Sequence, residues 1–585
     1  MATPASRKWA GSGCAEMTAS ERSSEFDAIV VGSGISGGWA AKELTEKGLK
    51  TLVLERGRPL EHGAGYAGEH QPTWETEHRG LPLRDLYREE YPIQSTSYAF
   101  DERTRHFWNN DAENPYDYNP DKPFDWLRAG VVGGRSLLWA RQTYRWSDLD
   151  FEANIRDGYG IDWPIRYADI APWYSYVEKF IGVSGQAEGL SHLPDGEFLA
   201  PMEMNVLERH VRQSIEENFP DRTMTIGRVA VLTEALEHSD RGVCHYCGPC
   251  HRGCSVGAYF SSLSSTLPAA EATGNLTLQA NAVVAGLDYD PETGRVSGVQ
   301  VIDAETRDRR TVTARVVFLC ASALGSTQIL LNSKSEAFPT GLANRSDALG
   351  RYVMDHTYGA GARGVFSGYD EFYPQGSRPN GIYIPRYRNL NDDEELPFVR
   401  GYAFQGGAGR MGWQTMARLT PGFGAEFKES LRKPGPWVMS LGGFGEVLPR
   451  ADNRMTLHPT KVDRFGIPQA SFDFSWSDNE LNIIEQIQKD AAAMLTAAGA
   501  AQVSTYNAKK VGGSAIHEMG TARMGRDPAE SVLNGFNQAH DVPNLFVTDG
   551  AAMTSSSCVN PSITYMALTA RAVDYAVQNI QDGTL

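Results

Sequence analysis

A glycine-rich turn near the start of the chain constrains the fold more than any other feature of the sequence. Residues 26–57 read as an apolar strand, a turn, a helix and a second strand. In the turn, Gly32, Gly34 and Gly37 have G-x-G-x-x-G spacing, which lets a pyrophosphate approach the helix N-terminus. Glu55 ends the second strand, where an acidic side chain can hold both ribose hydroxyls. The unit predicts a site for an adenine dinucleotide, NAD or FAD; a tight turn without a ligand is the alternative.

Length and charge restrict the class of protein. A chain of 585 residues predicts two to four domains. A formal net charge of -17 disfavours nucleic acid and anionic membranes as partners, and neutral substrates such as sugars fit better. The sequence has no apolar run of about 20 residues and no signal-peptide centre near its start, so we expect a soluble, cytoplasmic protein. Periplasmic location by co-export with a partner is the alternative.

The predicted elements are dispersed along the chain. Strands are predicted between 275 and 320, a helix near Gly325, and a buried strand followed by a long helix after 544. Residues 355–480 alternate in strand fashion with many Gly, Pro and aromatic residues, which predicts an antiparallel sheet in a second, inserted domain.

Three further motifs resemble those of the glucose-methanol-choline family of flavoprotein oxidoreductases. They are VVGGRSLLWARQ at 131–142, HEMGTARMG at 517–525 and NLFVTDGAAMTSSSCVNPSITYMALTARA at 544–572. The resemblance spans nearly the whole chain and implies an α/β fold, in which a Rossmann-like FAD-binding domain carries an inserted α+β substrate domain built on an antiparallel sheet. The domains we predict are a flexible tail at 1–24, an FAD-binding domain at 25–60, 125–150, 230–355 and 505–580, an extended lid or surface excursion at 60–124, and a substrate domain at 151–229 and 356–504.

The resemblance also implies roles for individual residues. His517 stands where the family places its catalytic base, and Asn560 stands where a second group hydrogen-bonds the substrate oxygen. A core histidine and a helix cap ahead of Pro561 are the alternatives for these two. Leu138 replaces a histidine that binds flavin covalently in certain relatives, so the FAD is predicted to be non-covalent. The remaining predicted cofactor contacts are Gly133, Gly134, Ser136, Val284, Gly520, Asp549 and Gly550.

Four cysteines crowd into eleven residues. Cys244, Cys247, Cys250 and Cys254 have the spacing of a bacterial ferredoxin motif, although Ser255 replaces the usual proline after the fourth cysteine. An iron–sulfur cluster is the first interpretation, and unliganded thiols or zinc are the alternatives. A cluster favours a dehydrogenase that passes electrons to a small partner subunit, a cytochrome or a quinone rather than to oxygen.

Within the family, three stretches look most like bacterial glucoside 3-dehydrogenases, which implies oxidation of a sugar C3 hydroxyl. These stretches begin at His78, Asp162 and Arg378. Gln405 is a candidate partner for a substrate hydroxyl. Aromatic residues that can stack on sugars, or pack in the core, are Trp163, Trp173, Tyr174, Tyr383 and Tyr387. The alternatives are a sugar or aryl-glycoside oxidase that makes hydrogen peroxide, a gluconate-type dehydrogenase subunit, and a redox-silent flavin-binding scaffold.

Overall fold

The computed structural model describes residues 26–391 and 395–585, so the predicted tail at 1–24 lies outside the described residues. The strands are β1 Phe26–Val31, β2 Thr51–Leu54, β3 Asp117–Tyr118, β4 Val183–Ser184, β5 Phe198–Leu199, β6 Thr225–Ile226, β7 Leu276–Gln279, β8 Ala282–Asp290, β9 Arg295–Asp303, β10 Arg309–Val312, β11 Ala314–Leu319, β12 Thr357–Phe366, β13 Ile382–Ile384, β14 Tyr402–Arg410, β15 Trp437–Gly445, β16 Arg454–Val462, β17 Pro468–Asp473, β18 Gln502–Asn507 and β19 Leu545–Val547.

The α-helices lie between some of these strands along the chain, and several of them are short. They are α1 Ile35–Glu46, α2 Arg84–Glu90, α3 Asp148–Phe151, α4 Ala153–Asp157, α5 Tyr167–Ile181, α6 Val206–Asn218, α7 Thr266–Ala272, α8 Ala323–Asn332, α9 Trp413–Leu419, α10 Gly424–Ser430, α11 Asp478–Ala497 and α12 Ser562–Gln581. In the described part of the chain, no helix is long and apolar enough to span a bilayer.

A parallel sheet forms the first layer. Its strand order is β19-β11-β1-β2-β7, and every neighbouring pair is parallel. All four residues of β2 are buried, as expected for a strand covered on both faces. Helix α1 packs against α7 and α12, and α12 also packs against α5. The strand and helix predicted after residue 544 are thus confirmed as β19 and α12, and they complete the domain that β1 begins.

A six-stranded antiparallel sheet forms the second layer, in the order β18-β12-β15-β14-β13-β6. Residues of β15 alternate between buried and half-buried positions, which is typical of a strand with one covered face. Helix α11 covers that face because Gly443 and Gly445 allow Ile487 and Ile483 to approach the backbone. A capping box formed by Ser477 and Glu480 begins this helix.

The combination of a parallel and an antiparallel sheet confirms the predicted fold class. Two strands of the antiparallel sheet, β6 and β18, come from outside the range 355–480, because the chain returns after α11 to pair β18 with β12. Residues 60–124 contain α2, β3 and short turns, and their role as a lid stays a prediction. The domain boundaries given above also stay predictions.

Candidate active site

A cavity of about 1110 Å³ extends from the glycine turn of the parallel sheet to the antiparallel sheet. Residues 31–36 line one end of it, which we call the nucleotide end. His517 and Asn560 line the other, the histidine end. This volume is slightly above the usual range of about 300–1,000 Å³ for small-molecule sites, and it suits a large, extended cofactor with a substrate beside it.

The nucleotide end is shaped by backbone. A Cβ on Gly37 would lie 1.9 Å from the Gly32 carbonyl oxygen, and Gly32 itself has φ +96°, so both glycines are required by the turn. Gly34 is different, because a Cβ there would have no atom within 4 Å. Its side faces the cavity at the start of α1, whose first turn carries no side-chain cap and no acidic residue. The helix N-terminus is therefore free to receive an anionic group.

Glu55 fastens this turn from the next strand. Its Oε2 accepts hydrogen bonds from Ser33 N at 2.9 Å and Ser33 Oγ at 2.5 Å, and its Oε1 accepts one from Gly57 N at 2.6 Å. The carboxylate also lines the cavity. Because each carboxylate oxygen accepts more than one hydrogen bond, Glu55 can hold the turn and still bind a hydroxyl of a ligand.

The histidine end is a chain of side-chain contacts. Gln405 Nε2 donates to Asn560 Oδ1 at 2.5 Å, and Asn560 Nδ2 lies 3.3 Å from His517 Nε2. On its other side, His517 Nδ1 lies 2.8 Å from Nδ1 of His356. The structure thus brings together the two predicted residues, His517 and Asn560, and adds His356, which sequence reasoning missed.

Family models for GMC oxidoreductases match residues 26–358 and 449–569 of this sequence. The chain belongs to the GMC oxidoreductase family. It is therefore an FAD-dependent oxidoreductase that acts on CH–OH groups of alcohols or sugars, and the predicted family is confirmed.

Three curated relatives show the range of activities among GMC proteins. The 2-methyl-1,2-propanediol dehydrogenase of Mycolicibacterium austroafricanum is 28% identical over 95% of this chain and 96% of its own length. The fructose dehydrogenase large subunit of Gluconobacter japonicus is 25% identical over 95% and 98%. The C-glycoside 3-oxidase of Microbacterium trichothecenolyticum is 26% identical, but over only 49% of this chain and 52% of its own length.

The cavity of this GMC oxidoreductase fits FAD, because the open face of Gly34 and the uncapped start of α1 leave space and donors for a pyrophosphate. The predicted cofactor residues that line the cavity are Gly32, Gly34, Glu55, Gly134, Ser136, Leu138, Val284, Asp549 and Gly550. Gly37, Gly133 and Gly520 do not line it. Gly133 and Gly520 have φ of +91° and +82°, so they are needed for the turns that carry the lining residues.

Burial and neighbouring charge lower the basicity of both histidines. Burial lowers the pKa of His517 well below its usual value, and His356 and Arg135 lower it further. Burial also lowers the pKa of His356 to about 4. Both rings are therefore neutral near pH 7, and a neutral imidazole is the form that can accept a proton.

Asp355 holds the backbone on both sides of the residue that precedes His517. Its carboxylate accepts a hydrogen bond from Ala515 N at 3.1 Å and one from His517 N at 3.0 Å. Ile516, between these two donors, has φ +66°, which is an outlier for a β-branched residue. Burial and the charge of Glu518 raise the pKa of Asp355 to about 7. The loop that carries His517 is thus strained, and Asp355 holds it in place from the neighbouring segment.

Aromatic side chains near His517 differ from those predicted. Phe444 lies 6.0 Å from the His517 ring between centroids, and Tyr358 lies 5.4 Å from Phe444. Both line the cavity. Among the predicted residues, Tyr383 is buried, stacks on Tyr144 at 3.9 Å and does not line the cavity. The other four described residues, Trp163, Trp173, Tyr174 and Tyr387, also lie outside the cavity lining, so core packing was the correct interpretation.

The four cysteines of the ferredoxin-like motif line a separate cavity of about 120 Å³. Three of them are half-buried, Cys247 is exposed, and none forms a disulfide within the described residues. Within the parts of the chain that the structure describes, Glu77, His78 and Glu102 are the only group of three or more potential ligands with atoms within 4.8 Å of one another. A tetrahedral zinc site needs sulfurs roughly 3.8 Å apart. The structure therefore does not assemble a zinc site from these cysteines.

Proposed function

We propose that this enzyme oxidises a secondary hydroxyl of a sugar or glucoside, at C3, and passes the electrons to an acceptor other than oxygen. The contact that supports the proposal most directly is the pair His517 Nε2 and Asn560 Nδ2, 3.3 Å apart at the cavity. A base and an amide at this spacing can hold one hydroxyl oxygen between them. Support for a sugar comes from the sequence stretches described above and from the names of two relatives, a fructose dehydrogenase subunit and a C-glycoside 3-oxidase.

His517 and Asn560 have different roles in the proposed oxidation. Nε2 of His517 takes the proton of the substrate hydroxyl, and the Asn560 amide hydrogen-bonds the same oxygen. Bound FAD supplies the acceptor for the hydride that leaves the alcohol carbon. Asn560 cannot exchange a proton near pH 7, so His517 is the single base. Phe444 and Tyr358 give the cavity an aromatic lining near this proton transfer.

An anaerobic spectrum of the FAD-loaded protein tests this proposal. Methyl α-D-glucopyranoside is expected to bleach the flavin bands, whereas its 3-deoxy analogue, the matched control, is expected to leave them unchanged. Identification of a 3-keto product by mass spectrometry and NMR completes the test. Bleaching by both sugars would contradict oxidation at C3, and no bleaching by any sugar would contradict the substrate class.

Oxygen consumption distinguishes the oxidase alternative. We expect slow turnover with oxygen alone and fast turnover with an artificial acceptor such as a quinone. Stoichiometric hydrogen peroxide at full turnover would favour the oxidase. A gluconate-type dehydrogenase subunit would instead require gluconate as the substrate that bleaches the flavin.

The second part of the proposal is that the four cysteines bind an iron–sulfur cluster through which electrons leave the protein; we call this site the electron outlet. Arg141 donates hydrogen bonds to carbonyl oxygens of Leu137 and Trp139, and it stacks on Tyr259 at 3.6 Å. Trp139 lines the large cavity, and Tyr259 lines the cysteine cavity. The Arg141 side chain therefore lies between the two cavities, bonded to the backbone of Trp139 on one side and stacked on the Tyr259 ring on the other. Thiols of the ferredoxin-like spacing around a space larger than one ion fit an iron–sulfur cluster better than zinc.

An iron and acid-labile sulfide assay on anaerobically purified protein tests the outlet. We expect both elements to be present, to be lost in Cys250→Ser, and to be retained in Cys14→Ser, which lies outside the motif. Flavin reduction by sugar is expected to persist in Cys250→Ser while transfer to the acceptor falls. Absence of iron and sulfide from the wild type would leave the cysteines as unliganded thiols.

We propose that the FAD is non-covalent, because Leu138 at the cavity wall cannot form a bond to the flavin ring. Acid precipitation is expected to release all of the flavin into the supernatant, and flavin in the pellet would contradict the proposal. The cytoplasmic location is likewise a proposal, and cell fractionation with and without a candidate partner subunit tests it.

A further inference from the structure

The contact between His356 and His517 is a hydrogen bond in which one proton lies between the two Nδ1 atoms. Their Nδ1 atoms lie 2.8 Å apart, His356 is 1% exposed, and its ring meets that of His517 edge-on at 4.8 Å between centroids. Two protonated nitrogens at this distance would repel each other, and two bare nitrogens would leave both lone pairs unsatisfied. One ring must donate from Nδ1 and the other must accept.

The neighbouring groups decide which ring donates. Asn560 Oδ1 accepts from Gln405 Nε2, so the Asn560 amide directs its N–H group at His517 Nε2. An N–H donor requires a bare nitrogen opposite it, and a neutral His517 with a bare Nε2 carries its proton on Nδ1. That proton points at His356. The direction of the chain is therefore Gln405 to Asn560 to His517 to His356.

The far side of His356 does not compete with this direction. Nε2 of His356 is buried and has no hydrogen-bond partner among the described residues. The tautomer of His356 is therefore decided at Nδ1, where His517 supplies the proton. The proton of the neutral His356 ring is then on Nε2, and its bare Nδ1 accepts from His517.

We propose that His356 is a positioning residue that fixes the proton of His517 on Nδ1 and so leaves Nε2 free to act as the base. Gln405 has the corresponding role at the other end, where it orients the Asn560 amide. The inference rests on the proposed function of His517, and it adds two residues that do not themselves exchange protons with the substrate.

The step that this arrangement serves is balanced. The substrate O–H proton moves to His517 Nε2, the C–H electron pair leaves with its hydrogen as hydride to the bound cofactor, and the C–O bond becomes a carbonyl. The imidazolium that forms keeps its Nδ1–H bonded to His356. Because the acceptor is already in place, the ring does not have to rotate or exchange tautomers before it takes the proton.

The same segment of chain also places the His517 backbone. Asp355, directly before His356, accepts hydrogen bonds from the two N–H groups that flank Ile516. The charged groups that face this region are Arg135 and Glu518, which form a salt bridge of 2.7 Å. Asp355 thus fixes the backbone conformation of the loop, and His356 fixes which nitrogen of the His517 ring carries the proton.

Nitrogen-15 NMR of histidine-labelled, FAD-loaded protein tests the tautomer without any substrate. The chain has 13 histidines, and the His517 signals are those missing from His517→Gln. Protonated and bare nitrogens of a neutral imidazole resonate far apart, so we expect Nδ1 of His517 to be protonated and Nε2 bare. His356→Leu, which removes the acceptor, is expected to give a mixture of tautomers, and His356→Asn, whose Oδ1 replaces the acceptor, is expected to restore the wild-type pattern. A protonated Nε2 in the wild type, or an unchanged pattern in His356→Leu, would overturn the proposal.

Flavin reduction by methyl α-D-glucopyranoside supplies the kinetic readout. A base in the wrong tautomer costs roughly 10²–10⁴-fold in rate, so we expect kcat in His356→Leu to fall at least a hundredfold with little change in KM. His356→Asn is expected to recover most of that loss, which a purely structural role would not predict. If the wild type does not reduce its flavin with this sugar, the proposed substrate is wrong, and the NMR result still decides the role of His356.

Discussion

The two ends of the central cavity are built in different ways. At the nucleotide end, Gly32, Gly34 and Glu55 come from one short stretch of chain, and binding depends on backbone groups and on the absence of side chains. At the histidine end, groups from distant segments meet through side-chain hydrogen bonds. We therefore expect FAD binding at the nucleotide end to be weakened by added side-chain atoms, and the reaction at the histidine end to be weakened by the loss of polar groups.

The largest expected effect is at the histidine end. His517→Ala removes the base, so flavin reduction by substrate is expected to fall by about 10³-fold or more, since general bases contribute roughly 10²–10⁴-fold and the adjacent amide cannot replace one. Stopped-flow absorbance measures it. The variant is expected to keep its yellow flavin, because His517 is not part of the glycine turn. His70→Ala, at an exposed position, is the control, and near-normal turnover of His517→Ala would refute the assigned base.

The free energy of unfolding is expected to depend on pH, because the histidine end contains buried titratable groups. The folded pKa of His356 is about 4 and its ordinary value is 6.5, so below pH 6.5 the unfolded chain binds a proton that the folded protein does not. Stability is therefore lost as pH falls from 6.5 to 4, by about 3 kcal/mol from this residue. Asp355, with its raised pKa, has the opposite sign, because ionisation at higher pH costs stability.

Urea unfolding of wild type and His356→Asn at pH 7 and pH 5 checks this sign. The unfolding free energy at pH 5 minus that at pH 7 is expected to be more positive in the variant, because the variant lacks the contribution of His356 and keeps that of Asp355. An equal change in both proteins would show that His356 is not held neutral by burial.

At the nucleotide end, two alanine substitutions distinguish an effect on FAD affinity from an effect on the stability of the fold. Gly34→Ala adds a methyl group to open space and is expected to fold normally but to bind FAD about 10- to 100-fold more weakly, a cost of about 1.4–2.8 kcal/mol. Gly37→Ala is expected to destabilise the fold itself, because its methyl group would overlap the Gly32 carbonyl. Gly409→Ala, also in open space but outside the turn, is the control. FAD titration and thermal unfolding measure the two effects, and unchanged FAD affinity in Gly34→Ala would exclude the pyrophosphate contact.

The smallest effect is expected at Glu55. Glu55→Gln keeps one acceptor oxygen but turns an amide group towards a backbone donor, either Ser33 N or Gly57 N. A loss of about 1 kcal/mol in FAD binding is expected from one weakened hydrogen bond. Glu271→Gln, at an exposed position, is the control for the charge change. A larger loss than in Gly34→Ala would reverse the order proposed for the two contacts.

The same comparison explains what the sequence can predict. The glycine turn is local, so its spacing correctly predicts β1, α1 and β2, whereas the binding role of Glu55 stays a prediction. His517 and Asn560 follow from the family motifs, but His356 has no such signal, because its role depends on a contact with a residue 161 positions away. The sequence left Tyr383 open between stacking on a sugar and packing in the core, because composition cannot distinguish a ring that reaches the cavity from one covered by Tyr144. Local sequence motifs identified the fold, whereas contacts between distant segments determine which further side chains reach the cavity.

The left-handed conformation of Ile516 has a consequence for the evolution of this enzyme. An isoleucine at φ +66° costs roughly 1–2 kcal/mol relative to a residue that adopts this region freely. Ile516→Gly would remove this strain, but it would also remove an apolar side chain that packs against the core and would raise the entropy of the unfolded chain. The same substitution would loosen the backbone that carries His517. Natural selection therefore gains neither stability nor precision by relieving the strain, and the unusual isoleucine can persist.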